Sequence, residues 1–338
     1  MSINYKNIEN VELLEEIRLN KGNDRMKSIF SDMLNNNTEK AIELINDKNV
    51  QYASLFILQD EIKSADIFIK LSERNKHALE ITNGLLLKDN SNTKHFSLNY
   101  TQQDYSVLRW IWETGYKDDG LNDLYDEVLD MSAIILSKVY EDRNCLPAIE
   151  EMIFNRYRKG AFIYDLVWAF FEVADYENLI AVAKRLQSSN PKDVKLARSL
   201  LNFIPCIGLN SKDESIKEYK CALKWLNQNK NFLYYTGATC LQTSNPYRYA
   251  ISLEGKYLQK GVYNANGEIS ESLSEDESSC LDRFMELDEA SKCNLANCSS
   301  ILYHRSKYKW RKWLQNAIDK QIEIAKRIME EHNDKNSR

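Results

Sequence analysis

A chain of 338 residues, 43% of them hydrophobic, is long enough for two domains or one extended helical array. Its 45 basic and 50 acidic side chains leave a net charge of −5, which speaks against a protein built mainly to hold nucleic acid but leaves room for a local basic patch. Only 10 Gly and 4 Pro occur, too few for the turns of a sandwich, a barrel or a doubly wound sheet, and too few for phosphate-cradling glycine loops.

The expected fold class is therefore all-α. Residues 8–90 read as short helices with polar joints. NDRMKSIFSDMLNNN places Met26, Ile29, Phe30, Met33 and Leu34 at helical spacing, and Asn35 to Thr38 supply a stop followed by an N-cap. EIKSADIFIKLSE carries a broad apolar face from Ile62 to Leu71, and the next helix ends near Lys88. Residues 89–99 are polar and without period, so they read as a loop. Helices are then predicted over 103–115, 121–141, 146–158, 161–174, 176–188, 191–203 and 213–229. Asp175, Asn190-Pro191 and Pro205 stand where helices should start or stop. Amphipathic helices joined by short loops make antiparallel pairs. Stacked in series, the pairs predict an irregular helical-repeat array over 1–230 that resembles HEAT and tetratricopeptide arrays in class only. No fixed period runs through it, and the tetratricopeptide consensus is not present in register.

Residues 231–273 break this rhythm. They hold four of the ten glycines and are rich in Tyr, and the runs YRYAISL and GKYLQKGVY suggest a small hairpin within an irregular connector. Residues 274–338 then predict a C-terminal three-helix module: Ser274 and Glu277 form a capping box, and helices run to about residue 287, over 289–303 and over 309–331.

No membrane partner is expected. The longest apolar stretch, AFIYDLVWAFFEVA, contains Asp165 and Glu172 and falls short of the ~20 residues a span needs. The N-terminus shows no basic segment followed by an apolar run, so no secretory signal is expected. Seven cysteines, odd in number and scattered, read as reduced thiols and a cytoplasmic location. The richness in Asn, Lys and Ile points to an AT-rich genome, bacterial or phage.

The stretch RSKYKWRKW is the main candidate site. Arg305, Lys307, Lys309, Arg311 and Lys312 are interleaved with aromatics, a pattern that can hold phosphate, nucleic acid or an acidic partner. Trp310 and Trp313 fall on the apolar stripe of the following helix, so their expected work is packing. Beyond Lys312 the polar face mixes signs, unlike a nucleic-acid or membrane helix. The competing reading pairs the cluster with residues 268–289, which carry nine carboxylates and one Arg. Arg156, Arg158 and Lys159 would extend the patch if the fold brings them close.

Other chemistry is weakly marked. Cys280, Cys293, Cys298 and His304 are zinc-type ligands, but Cys293 and Cys298 stand about 140° apart on a helix and no CxxC occurs. Asp123, Asp126, Glu127 and Asp130 share one face opposite Leu121, Leu124 and Val128, which reads as a solvated face rather than a metal site. With only His77, His95, His304 and His332, a Ser or Cys nucleophile has few bases, so no cofactor, metal or catalytic residue is predicted. The leading expectation is a non-enzymatic scaffold or assembly component that binds a protein. The alternatives are a nucleic-acid-associated helical protein using the patches near 156–159 and 305–312, and an enzyme with an unmarked carboxylate or Tyr site.

Overall fold

The computed structural model describes residues 13–87, 100–208, 215–239, 242–243 and 245–336, with side chains described as far as residue 331. The expected loop at 89–99, with His95, lies outside the described residues, as do Cys240 and the side chain of His332. The fold is all-α: among the described residues there are 18 α-helices and one pair of three-residue strands. Helix lengths run from 6 to 19 residues, so the helices do not recur as units of one size. None is long and apolar enough to cross a membrane. The chain divides into two compact units, residues 1–156 with 163–173, and residues 157–162 with 174–338.

The first unit holds α1 (Leu14–Lys21), α2 (Asn23–Asn36), α3 (Thr38–Ile45), α4 (Tyr52–Ile57), α5 (Gln59–Ser64), α6 (Glu73–Leu86), α7 (Gln102–Gly115), α8 (Asp123–Ile134), most of α9 (Leu146–Lys159) and α10 (Tyr164–Val173). Caps set the helix starts. Asn37 accepts from Lys40 N at α3, Ser72 from Asn75 N at α6, and Thr101 forms a reciprocal capping box with Asp104 at α7. The core centres on Tyr52 and Tyr125, which stack at 5.4 Å with Phe56 edge-on to Tyr125. Tyr125 Oη donates to Gly115 O at 2.9 Å, and a Cβ at Gly115 would meet that hydroxyl at 2.9 Å, which is why α7 ends there on glycine.

The turn Lys117-Asp118-Asp119-Gly120 works as a clamp. Asp118 takes both terminal nitrogens of Arg18 from α1, at 2.7 and 3.2 Å. Asp119 takes Arg156 Nε of α9 at 2.8 Å, and Arg156 Nη1 donates to Asp130 of α8 at 2.8 Å. This corrects the expectation that Asp130 lies on a solvated carboxylate face. The single helix predicted over 121–141 is also corrected, since α8 ends at Ile134 and gives way to a π-helical turn, Ile135–Val139. The expected apolar stripe is rotated as well. Asn122 caps α8 by accepting from Tyr125 N, and from that start Leu124 faces solvent while Tyr125 is buried.

The second unit holds α11 (Tyr176–Lys184), α12 (Pro191–Leu200), α13 (Ser215–Asn229), β1 (Leu233–Tyr235), β2 (Tyr249–Ile251), α14 (Leu253–Leu258), α15 (Glu275–Met285), α16 (Glu289–Arg305), α17 (Lys307–Leu314) and α18 (Ile318–Asn336). Asp175 boxes the start of α11, and Asn190 caps α12 with Pro191 at its first position, as the sequence predicts. The hairpin is antiparallel and pairs Leu233 with Ile251, Tyr234 with Ala250 and Tyr235 with Tyr249. The run GKYLQK is not an extended arm: it forms most of α14, and an isolated bridge joins Val262 to Ile269 after it. Gly267 at φ 75° lies under the Tyr234 ring, where a Cβ would come within 2.6 Å.

Cys206 and Cys221 are joined by a disulfide across 15 residues, so the expectation of reduced thiols fails for this pair. The thiol argument for a reducing compartment no longer stands by itself. Alkylation without reductant, read by peptide mass spectrometry, is expected to modify exposed Cys293 and leave Cys206 and Cys221 untouched. Alkylation of Cys206 or Cys221 before reduction would refute the link.

The tail core packs Tyr257 of α14 on Phe284 of α15, stacked at 4.3 Å, with Trp313 edge-on to Tyr257. The single helix predicted over 309–331 is two helices, which makes the tail four helices rather than three. The physical reason is Gln321, a buried amide that donates from Nε2 to Leu314 O and Asn316 O, both at 2.9 Å. Its side chain satisfies carbonyls that an unbroken helix would have used for its own ladder.

Candidate functional site

The basic stretch is built from the end of α16, the cap Ser306 and α17. Ser306 Oγ accepts from Lys309 N at 3.3 Å and starts α17. The two tryptophans then face inward, as predicted: Trp310 Nε1 donates to Ser299 Oγ at 2.8 Å, and Trp313 Nε1 to Gln321 O at 3.3 Å. With those rings locked, Arg305, Lys307, Lys309, Arg311 and Lys312 all face solvent, and Tyr308 stands 65% exposed among them.

Among the described residues, none of these five cations forms an ion pair. Lys307 Nζ lies 5.1 Å from the Tyr303 ring centre and Lys312 Nζ 4.6 Å from that of Tyr308. Four of the nine carboxylates upstream make contacts elsewhere. Glu277 caps α15 and meets Lys260 at 3.2 Å, Glu271 approaches the same lysine, Asp288 takes Ser291 N and Oγ, and Glu289 reaches Lys292. The expected pairing of the acidic and basic segments is absent. Lys307 and Lys309 also occupy the first turn of α17, where the helix dipole is positive, so the cluster stands against its own helix field.

The second predicted patch does not assemble as expected. Arg156 is 4% exposed and clamped between Asp119 and Asp130 inside the first unit, so it is withdrawn from any surface. Arg158 and Lys159 belong to the second unit. Arg158 Nε pairs with Asp193 at 3.0 Å, and its backbone oxygen accepts from Lys192 Nζ. Lys159 is exposed at the end of α9.

Unit by unit, the near-neutral total conceals a segregation. The first unit carries 18 Lys and Arg against 29 Asp and Glu, and the second 27 against 21. Within the second, residues 157–162 and 174–230 account for the excess, with 12 basic against 6 acidic residues. On α12 and α13 each helix has a single carboxylate, and both are buried: Asp193 takes Arg158 and Ser188 Oγ, and Glu218 takes Arg198 and Gly208 N. The lysines Lys192, Lys195, Lys217, Lys220 and Lys224 are all exposed. Sequence reasoning passed over them because Asp193 and Glu218 make both helices look mixed in sign.

Groups suited to catalysis are tied down. A cleft of about 490 Å³ in the first unit is lined by Arg109, Glu113, Tyr116, Asp142, Cys145 and Glu151 among others. Arg109 is held by Glu113, and Asp142 accepts from Tyr105 Oη at 3.0 Å and from both nitrogens of Asn144. Burial pushes the Cys145 thiol up to about 12, far from a nucleophile at neutral pH. His77 Nε2 lies 2.6 Å from Asp104 Oδ1, and its Nδ1 faces Glu80. For Asp104, burial works against ionisation, but hydrogen bonds from Thr101 and His77 outweigh it and hold the carboxyl below its ordinary range. Lys256 of α14 is lowered to about 8 by burial, but it is enclosed and donates to Asn297 Oδ1 at 2.7 Å. Cys280, Cys293, Cys298 and His304 do not converge: among the described residues no three His, Cys, Asp or Glu are placed to hold a metal ion.

No family model, curated protein or solved structure matches this chain. Its functional reading rests on the residues themselves.

Proposed function

We propose that the protein is a non-enzymatic binding protein, a helical scaffold or assembly component that holds an acidic protein partner on the outer face of α17. One observation carries the reading: five exposed cations and an exposed Tyr stand together without an ion pair among the described residues, although nine carboxylates lie 16 to 44 residues upstream in the same unit. Arg and Tyr are enriched at protein interfaces, and Arg305, Arg311 and Tyr308 are the residues such a partner would engage first. The surrounding lysines would steer it.

The double substitution Arg311→Glu and Lys312→Glu tests this. Both side chains are exposed and make no ion pair among the described residues, so the melting temperature is expected to stay within a degree or two of the parent. In affinity purification from the native host with nuclease present, a stoichiometric protein should fall by about ten-fold or more in the variant. A partner retained in full by the variant would sink the proposal. A partner that disappears on nuclease treatment of the parent would do the same, because the contact would then run through nucleic acid.

A further inference from the structure

We infer that the acidic partner of α17 is a second copy of this chain, whose first unit receives the basic ridge in an acidic groove between α2, α5 and the start of α8, so that copies join head to tail. The inference rests on the reading of α17 as a site for an acidic protein. Inside the first unit an open cleft of about 510 Å³ has an apolar floor, Phe56 and Ile57 at the end of α4, 4% and 8% exposed. Leu121 and Leu124 form one wall. The cap at Asn122 turns Leu124 outward, so it stands 55% exposed there. Asp60 of α5 and Asp123 of α8 line the cleft and are exposed. Lys27 of α2 lines it too, but its ammonium meets Glu61 at 3.8 Å. Arg25 is two positions from both Asn23 and Lys27, about 160° round the helix, so it points away from the cleft.

Ridge and groove complement each other twice. On α17, Tyr308, Arg311 and Lys312 stand at spacings of three and four and so share one side of the helix, opposite the buried tryptophans. The exposed Tyr308 ring matches the apolar floor and Leu124, and the two cations match Asp60 and Asp123. The charges of the units point the same way: the first carries 18 basic against 29 acidic residues and the second 27 against 21, so unlike units of two copies attract while like units repel. The ridge and the groove are different surfaces, which makes the contact heterologous. Each added copy then presents one of each again, and the assembly grows into a ring or an open chain. One side of an eight-residue helix is a small contact, and its charges are screened by salt. The expected affinity is therefore weak, with Kd on the order of 10 μM at low salt.

The test is sedimentation velocity on the full chain, from about 1 to about 200 μM, in about 50 mM and about 500 mM NaCl. At low salt the parent's average mass should rise with concentration, and at high salt it should fall back towards that of one chain. The ridge variant Arg311→Glu, Lys312→Glu and the groove variant Asp60→Asn, Asp123→Asn, Leu124→Ser should each self-associate at least about ten-fold more weakly. Mixed in equal amounts they should pair again, because the first keeps its groove and the second its ridge. That pairing should approach parental affinity within about three-fold and stop at two copies. Circular dichroism melts should agree within a few degrees, since every substituted side chain is exposed. A parent that stays a single chain at about 200 μM and low salt overturns the inference, since a Kd near 10 μM would leave little of it free. So does a groove variant that associates like the parent, or a mixture in which the two variants do not pair. If the parent stays a single chain but the Arg311→Glu, Lys312→Glu variant still loses a host protein in affinity purification, the second copy is excluded and the reading of α17 stands. If that variant changes neither measurement, both fall.

Discussion

Replacing Arg156 with Met will destabilise the protein by about 3–5 kcal/mol, the cost typical of removing one partner from a buried ion pair. Arg156 is held on one side by Asp119 and on the other by Asp130, at 2.8 Å each. Methionine fills much of the volume but leaves two carboxylates facing each other away from water. Asp130 already sits at about 6, because burial raises it by more than Arg156 lowers it. Without the guanidinium the Asp130 carboxyl moves further up. A carboxyl raised in the folded state contributes stability at low pH and loses it as pH climbs through the folded value. The deficit of the variant relative to the parent should therefore shrink as pH falls from 8 towards 5. Urea denaturation at the two pH values measures this. A deficit that does not change with pH would mean that packing, not charge, sets the loss. Adding Asp119→Asn and Asp130→Asn to the Met variant should recover part of the stability. The binding proposed for α17 should be unaffected, which distinguishes Arg156 from the surface cations with which its sequence neighbours suggested grouping it.

The second large effect is expected at Gln321, which is 1% exposed and makes three side-chain hydrogen bonds. Its Oε1 accepts from Tyr257 Oη at 2.8 Å, and its Nε2 serves the two carbonyls at the break between α17 and α18. Gln321→Leu keeps the bulk, strands the buried Tyr257 hydroxyl and leaves the buried Leu314 carbonyl only the weak Cys280 thiol at 3.5 Å, while Asn316, half-buried, can turn to water. The loss should be about 2–4 kcal/mol, from ~1–3 for each buried group left unpaired. Tyr257→Phe in the Leu background should recover about 1 kcal/mol by removing one of the stranded groups. If the double variant is no more stable than Gln321→Leu alone, the Tyr257 hydroxyl is finding another partner and the account of this network is wrong.

Both residues show where sequence reading stops. Arginine and glutamine in helices are ordinarily surface residues, and nothing local to Arg156 or Gln321 says otherwise. Arg156 turns inward only because the turn after α7 and the middle of α8 bring two aspartates to it, 37 and 26 residues away in sequence. Gln321 interrupts an otherwise apolar stripe, which is a visible sign, but its meaning depends on Tyr257, 64 residues earlier. The helical wheel drawn through 309–331 assumed one continuous axis and could not place a break that a distant side chain stabilises. The wheel through α8 failed for a related reason: the cap at Asn122 set a rotation that put Tyr125 inside and Leu124 outside.

The fate of the basic residues follows the same division. That Trp310 and Trp313 would pack inward was legible, because burying aromatic area outweighs anything a nine-residue segment could gain by exposing it. Whether the cations beside them were neutralised was not, because pairing is a matter of distance. The lysines of α12 and α13 were in plain view at spacings of three and four, but their sign was masked by Asp193 and Glu218 until the fold buried both.

By itself, the sequence determined that the chain is helical, where most helices begin, and that no helix among the described residues is long and apolar enough to cross a membrane. Those properties follow from glycine and proline content, caps and apolar periodicity, which act within a few residues. Only the tertiary structure decided which charges are spent inside and which are left outside. Electrostatic neutralisation and hydrogen-bond satisfaction are settled between side chains tens of residues apart, and they leave no local mark on the chain.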